Sequence, residues 1–167
     1  MKKIHFALVK LPVISITLFF CCCLVAALIH PGSEKEIIDF KMDRYSFTHN
    51  FLSELGSFKT NTDETNPLII QEDNTPSMLL FNGSLIFIGA TLVLFYIQFK
   101  EVFIQINDTD KAQKYGALTK PLGILAGILY AGVGFVPHDL HFGGHVFFAN
   151  GAFLVLFFLC VFHSISI

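Results

Sequence analysis

The sequence contains no tryptophan and few charged side chains. Only 14% of its 167 residues are Asp, Glu, Lys or Arg, whereas soluble domains have about 25%. Hydrophobic residues make up 53% of the chain, and the mean hydropathy is +0.63. With a net charge of −2, there is no basic surface of the kind that nucleic acids require. A nucleic-acid partner is therefore not expected, and a lipid bilayer is the predicted surrounding.

The polar stretches also lack cysteine, because all four cysteines fall in apolar runs. Cys21, Cys22 and Cys23 lie midway through the first run, and Cys160 lies in the last. No disulfide framework is indicated. Three consecutive side chains point around most of a helical turn and cannot all face one metal ion, which favours a lipid-exposed role for them.

Four apolar runs predict four transmembrane helices, since a hydrocarbon core of about 30 Å needs roughly 20 helical residues. The predicted spans are residues 11–30, 78–99, 117–136 and 145–165. The first run follows two lysines, as a signal peptide would, but it is longer than a signal core and lacks a clean cleavage site. It is interpreted as a retained anchor. The predicted fold is an all-α polytopic membrane helix bundle that forms a single domain.

The lysines predict the orientation of the bundle. They precede the first span and crowd the predicted inner loop 100–116 and the start of the next span: Lys2, Lys3, Lys10, Lys100, Lys111, Lys114 and Lys120. Residues 31–77 contain four basic and nine acidic side chains, and residues 137–144 contain no Lys or Arg. Because basic loops stay inside, the N-terminus is predicted to be cytoplasmic, with 31–77 and 137–144 on the outer face of the cytoplasmic membrane.

Within the outer loop 31–77, residues 43–57 show a helical period. Ser46, Asn50, Ser53 and Ser57 fall on one face at 100° per residue, and the opposite face is lined by apolar side chains: Phe47, Phe51, Leu55 and Phe58. The pattern predicts an extracytoplasmic amphipathic helix that lies on the membrane surface or over the bundle.

Three short motifs follow one another along the chain. Tyr45–Gly56 contains Ser-Glu-Leu-Gly, Leu80–Gly83 opens a span that also holds Gly89, and Gly132–Asp139 contains Gly-x-x-Pro-x-Asp, with His145 after it. This order resembles the prokaryotic multi-pass membrane family catalogued as domain of unknown function 998. The resemblance implies a membrane protein with six spans and no established activity, so a chain with four spans would lack the last two.

Three of the seven histidines lie within one short stretch of the last link. His138, His141 and His145 are spaced three and four residues apart, which suits metal ligands on one face of a helix. They are therefore candidate ligands of a divalent metal such as zinc. A polar packing or capping role is the alternative, because Gly143 and Gly144 weaken a helix through these residues.

The two outer segments share one membrane side, so their polar side chains are predicted to meet in one site. Its members are His49, Asn50, Ser53, Glu54 and Asp139. His49 and Ser53 have the spacing of a base and a nucleophile on a helix, but no third group orients the base. Solvation of the wet helix face is the alternative.

These patterns leave two functions open. The first is a non-catalytic membrane protein whose outer polar cluster is structural or binds a small ligand. The second is a metal-dependent hydrolase acting at the outer interface, so the sequence leans against an enzyme without deciding it. Gly123 and Gly127 form a close-packing motif in the third span and offer a face for helix–helix self-association.

Overall fold

The structure, a computed structural model, describes residues 5–166 (side chains to residue 164) and contains four long helices. A π-helical turn, Phe6–Lys10, leads into α1, Leu11–Ile29; α2 is Thr75–Gln105, α3 is Asp110–Phe135 and α4 is Phe142–Ser166. All four are long and apolar enough to cross a membrane. The prediction of an all-α, multi-pass membrane protein is confirmed. Lys2 and Lys3 lie outside the described residues.

The helices are longer than the predicted spans. The predicted inner loop 100–116 is almost entirely helical, because α2 continues to Gln105 and α3 begins at Asp110. The hydroxyl of Thr109 accepts the N–H of Ala112 at 3.2 Å and caps α3. A helix begins at its cap and not at the lipid boundary, so hydropathy, which predicts the span, does not predict this start. The predicted link 137–144 is likewise shortened, because α4 starts at Phe142.

The bundle is built on close packing between α2 and α3. A Cβ atom on Gly89 would meet Ala131 at 2.6 Å, and one on Gly127 would meet Val93 at 2.7 Å. Gly123 faces the ring of Tyr96 in the same way. The glycines proposed for self-association therefore join two helices of one chain. Next, α1 packs on α2, and α4 packs on α3.

Residues 30–74 and the link 136–141 lie at one end of the bundle, here called the site face. The longer segment starts with a two-stranded antiparallel sheet of β1, Ser33–Lys35, and β2, Phe40–Met42. Gly32 precedes β1 at a φ of 119°, where a side chain would collide with the backbone of Met42. This glycine lets the chain turn tightly out of α1.

The predicted amphipathic helix at 43–57 is wrong. This stretch forms turns and one short 3₁₀ helix, Leu52–Gly56. The Asn50 side chain accepts the N–H of Ser46 at 2.9 Å, and the Glu54 carboxylate accepts the N–H of Phe51 at 2.9 Å. These side chains take backbone donors that a continuous helix would need.

The burial of this stretch also differs from the prediction. Leu55 is fully buried, as expected, but Phe47 is 64% exposed and Phe51 is 74% exposed. Glu54 and Ser57, expected to be solvated, are buried. Without a continuous helix, the chain presents its polar groups inward, where they bond to α2 and to the link 136–141.

Candidate functional site

The site loop, residues 50–59, is held against the first turns of α2 by hydrogen bonds. Asn74 is fully buried, and its amide donates to the carbonyls of Glu54, Leu55 and Ser57 at 3.2, 3.4 and 2.9 Å. Two α2 side chains reach the same backbone: Ser77 donates to Leu55 at 3.1 Å, and Asn82 donates to Gly56 at 2.9 Å. Side chains of α2 and of the residue before it thus satisfy the buried carbonyls that the site loop cannot pair itself.

Gly56 allows this close approach. A Cβ atom at this position would stand 2.9 Å from the ring of Phe81 and would collide with the amide of Asn82. The glycine of the Ser-Glu-Leu-Gly motif therefore has a packing role, because any side chain would push the site loop away from α2.

Glu54 is the buried charge of the site loop. Its carboxylate accepts bonds from the Asn50 amide at 2.6 Å and the Phe51 N–H at 2.9 Å. The Lys35 ammonium lies 3.3 Å from it and pairs with Asp63 at 2.9 Å. Burial acts to lower the pKa of Lys35, but the hydrogen bond and charge of Asp63 and the charge of Glu54 outweigh burial and raise it. Lys35 is therefore held as a cation between two carboxylates.

The link 136–141 meets the site loop through two side chains. The Asp139 carboxylate accepts the N–H groups of Phe58 and Lys59 at 2.8 and 3.2 Å. The Ser57 hydroxyl lies 3.2 Å from Nδ1 of His138. Burial lowers the pKa of His138 below its ordinary value of 6.5, although the charge of Asp139 acts to raise it. This imidazole is thus neutral at physiological pH.

His141 and His145 are held by local backbone bonds. His141 precedes α4, and its Nδ1 accepts the N–H of Gly144 at 2.8 Å, which caps the helix. Nδ1 of His145 lies 2.8 Å from the carbonyl of Val136. Because a carbonyl only accepts, Nδ1 of His145 carries the proton. The capping alternative therefore describes His141.

The predicted metal ligands do not assemble. Across the described part of the chain, no three His, Cys, Asp or Glu side chains form a group that could hold a metal ion. The rings of His138 and His145 come within 5.9 Å of each other, but His141 is exposed and engaged in its cap. The proposed zinc site at His138, His141 and His145 is not formed in this structure.

A cavity of about 640 Å³ lies between the site loop and the link, and we call it the site cavity. Its wall comes from four places in the chain: Phe51, Ser53, Glu54, Thr62, Asp63, His138, Asp139, Phe142, His145 and Val146. Its size is within the range of about 300–1,000 Å³ that small-molecule sites occupy. Of the predicted polar residues, Ser53, Glu54 and Asp139 line it.

The other two predicted residues lie elsewhere. His49 is exposed and stacks on Phe40, with ring centroids 4.2 Å apart. Asn50 is outside the cavity wall, and its side-chain amide donates a hydrogen bond to the Glu54 carboxylate. Among the described residues, no direct hydrogen bond joins the predicted site-loop residues to the histidines or Asp139, because Ser57 and the backbone of Phe58 and Lys59 make those bonds instead.

Sequence reasoning missed Lys35, Asp63 and Asn74. Lys35 and Asp63 belong to an acidic, polar segment that reads as a solvated loop, and nothing local marks their pairing with Glu54. Asn74 precedes Thr75-Pro76, a frequent helix start, so a capping role was the visible signal. Its three bonds to the site loop join residues about 20 positions apart.

No protein-family model matches this chain, and comparison with curated proteins and with solved structures gave no significant match. The resemblance to domain of unknown function 998 therefore stays a prediction.

Proposed function

We propose that this membrane protein binds a small ligand with a positively charged amine in the site cavity. The observation that carries the proposal is a cavity of about 640 Å³ with three carboxylates in its wall, from Glu54, Asp63 and Asp139. Within the described residues, Lys35 is the one cation paired with any of them. Three negative charges against one positive charge leave a net negative site, which favours a cationic ligand.

Two further features support an ammonium group. Phe51 and Phe142 line the cavity and are 74% and 69% exposed, so their ring faces are available to a cation. One oxygen of Asp139, Oδ1, is buried and has no hydrogen-bond partner among the described residues. The Asp139 carboxylate has no cationic partner among the described residues, so its charge adds to the negative potential at the cavity.

Binding is proposed in preference to hydrolysis. His49 does not face Ser53 from a shared helix, so the predicted nucleophile has no base at that position. The metal-dependent alternative needs three converging ligands, and the described histidines do not converge. Glu54 accepts one backbone N–H and Asp139 accepts two on one oxygen, an arrangement that suits holding a fixed negative charge.

We further propose that the site face is the outer face of the cytoplasmic membrane. The end of the bundle opposite the site face carries Lys100, Lys111 and Lys114, and basic residues stay inside. In a cysteine-free background, Thr65→Cys should react with an impermeant thiol reagent in intact cells, and Lys111→Cys should react only after lysis. The reverse pattern would place the site face inside.

Binding is tested with butylamine and its matched acid, butanoate, by saturation-transfer NMR on the purified protein. Butylamine should bind and butanoate should not. Asp63→Asn removes a half-exposed charge and should weaken butylamine binding by roughly tenfold, as should Glu54→Gln. Glu34→Gln, outside the cavity wall, is the control and should leave binding unchanged. Equal binding of the acid would contradict the proposal.

A further inference from the structure

An apolar groove of about 590 Å³ runs down the bundle from the site face. Ile16 and Phe19 of α1 form one wall, and Phe153 and Leu156 of α4 form the other. Phe81 and Leu92 mark the two ends of the α2 part of its floor, beside α3. Since α1 packs on α2 and α4 packs on α3, the groove is the gap left between the two outer helices.

The groove adjoins the site cavity. Three residues line both: Phe51, Ser53 and His145. The Ser53 hydroxyl stands at this junction and makes no hydrogen bond within the described residues. A cavity with acidic residues in its wall and a mainly apolar groove therefore adjoin at Ser53, which suits an amphiphile.

The depth of the groove fits one leaflet. Phe81 and Leu92 are eleven residues apart on α2, which is about 16 Å along a helix. The hydrocarbon core of a bilayer is about 30 Å thick, so the groove extends from the site face to about the midplane. A hydrocarbon chain from the leaflet at the site face would fill it, and its head group would then lie at the site cavity.

We propose that the ligand is an amphiphile with a primary ammonium head group, whose hydrocarbon chain lies in the groove between α1 and α4. This deepens the proposed function and rests on it. A lipid without a free amine would enter the groove by its chain alone, whereas the net negative site cavity repels an anionic head group and attracts an ammonium. The charge at the mouth of the groove thus selects the occupant.

The probe is a long-chain primary amine with a diazirine midway along its chain, photolysed with the protein in nanodiscs. Label should appear in α1 near Phe19 and in α4 near Phe153, and should saturate. Unlabelled long-chain amine should compete better than butylamine, and the matched long-chain carboxylate should compete least. Labelling that does not saturate and is spread over every lipid-facing helix would overturn the proposal. An absence of label in α1 and α4 would also overturn it, and this result is expected if another helix covers the groove.

Ala149→Phe fills the groove from α4, and the matched control Ala90→Phe adds the same ring to an exposed position on α2 outside it. Ala149→Phe should reduce saturable labelling by at least roughly tenfold, with Ala90→Phe close to wild type. Equal labelling of the two variants would contradict the proposal. Should Ala149→Phe fail to fold, the position of the label in the wild-type protein decides the question.

Butylamine binding distinguishes a failure of this inference from a failure of the proposed function. If butylamine binds with Glu54 dependence but a longer chain brings no label to the groove, the amine site stands and the amphiphile is wrong. If butylamine does not bind, and excess unlabelled long-chain amine does not reduce the labelling, both the inference and the proposed function are wrong.

Discussion

The carboxylate of Asp139 accepts the backbone N–H of Phe58 at 2.8 Å, which joins two segments that are 81 residues apart in the sequence. The same oxygen also accepts the next N–H, from Lys59. This contact holds the link before α4 against the site loop, and it sets the distance between the two walls of the site cavity. Together with the contact between Ser57 and His138, this charge-assisted pair of bonds holds the shape of the cavity.

Replacing Asp139 should loosen this contact. Asp139→Ala leaves the partly buried N–H of Phe58 and the exposed N–H of Lys59 without their acceptor and should lower the free energy of unfolding by about 1.5–3 kcal/mol. Amide hydrogen exchange at Phe58 and Lys59 should accelerate in the same variant. Asp43→Ala, at an exposed position, is the control and should change neither quantity. Unchanged exchange at both amides in Asp139→Ala would argue against the contact.

Gly56 should tolerate no side chain. Gly56→Ala places a methyl group against Phe81 and Asn82, and overpacking of this kind costs about 1–3 kcal/mol. Gly83→Ala is a matched control, because nothing lies within 4 Å of its added Cβ atom. The midpoint of thermal unfolding in detergent should therefore fall for Gly56→Ala alone. Similar midpoints for the two variants would mean that the site loop does not lie on α2.

Lys35 and Lys41 provide a comparison of a buried and an exposed ion pair. Lys35→Met leaves the buried carboxylate of Glu54 without its cation and should cost about 3–5 kcal/mol. The Lys41 side chain is 76% exposed in its pair with Glu34, so Lys41→Met should cost about 0–1 kcal/mol. Chemical denaturation of both variants measures the difference. A cost for Lys35→Met as small as that for Lys41→Met would show that Lys35 is solvated.

Acid should destabilise the protein through His138. Burial lowers the pKa of His138 in the folded state below its ordinary value of 6.5, so between those two values the unfolded chain binds more protons. Stability should fall as the pH drops through 6.5 and level off below the folded pKa.

His138→Gln should reduce this fall when unfolding midpoints are compared at about pH 7.5 and about pH 5.5. Some pH dependence should remain, because burial also lowers the pKa of His30. A steeper fall for His138→Gln would contradict the assignment.

The membrane-spanning architecture was predictable because hydropathy is a property of short stretches. Each apolar run is by itself long enough to predict a span. Gly123 and Gly127 predicted a close contact between two helices, but not whether the two helices belong to one chain. The first and last residues of the helices were harder to predict, because caps such as Thr109 determine them.

The site loop could not be predicted from its helical period. Asn50 and Glu54 bond to the nearby backbone and end the helix that the apolar pattern suggested. The decisive partners, Lys35, Asn74 and Asp139, come from distant parts of the chain, and no local pattern encodes those pairings. Residue types and hydropathy predicted that the site loop and the link before α4 lie at one end of the bundle, but their contacts required the fold.

A titration of isotopically labelled protein with butylamine, followed by NMR in nanodiscs, tests most directly that the site loop and the last link form one binding site. Amide signals of Ser53 and Glu54 should shift together with those of His138 and Asp139 and should follow a single saturation curve, because all four residues line the site cavity. Shifts confined to one of the two segments, or shifts that never saturate, would contradict the account.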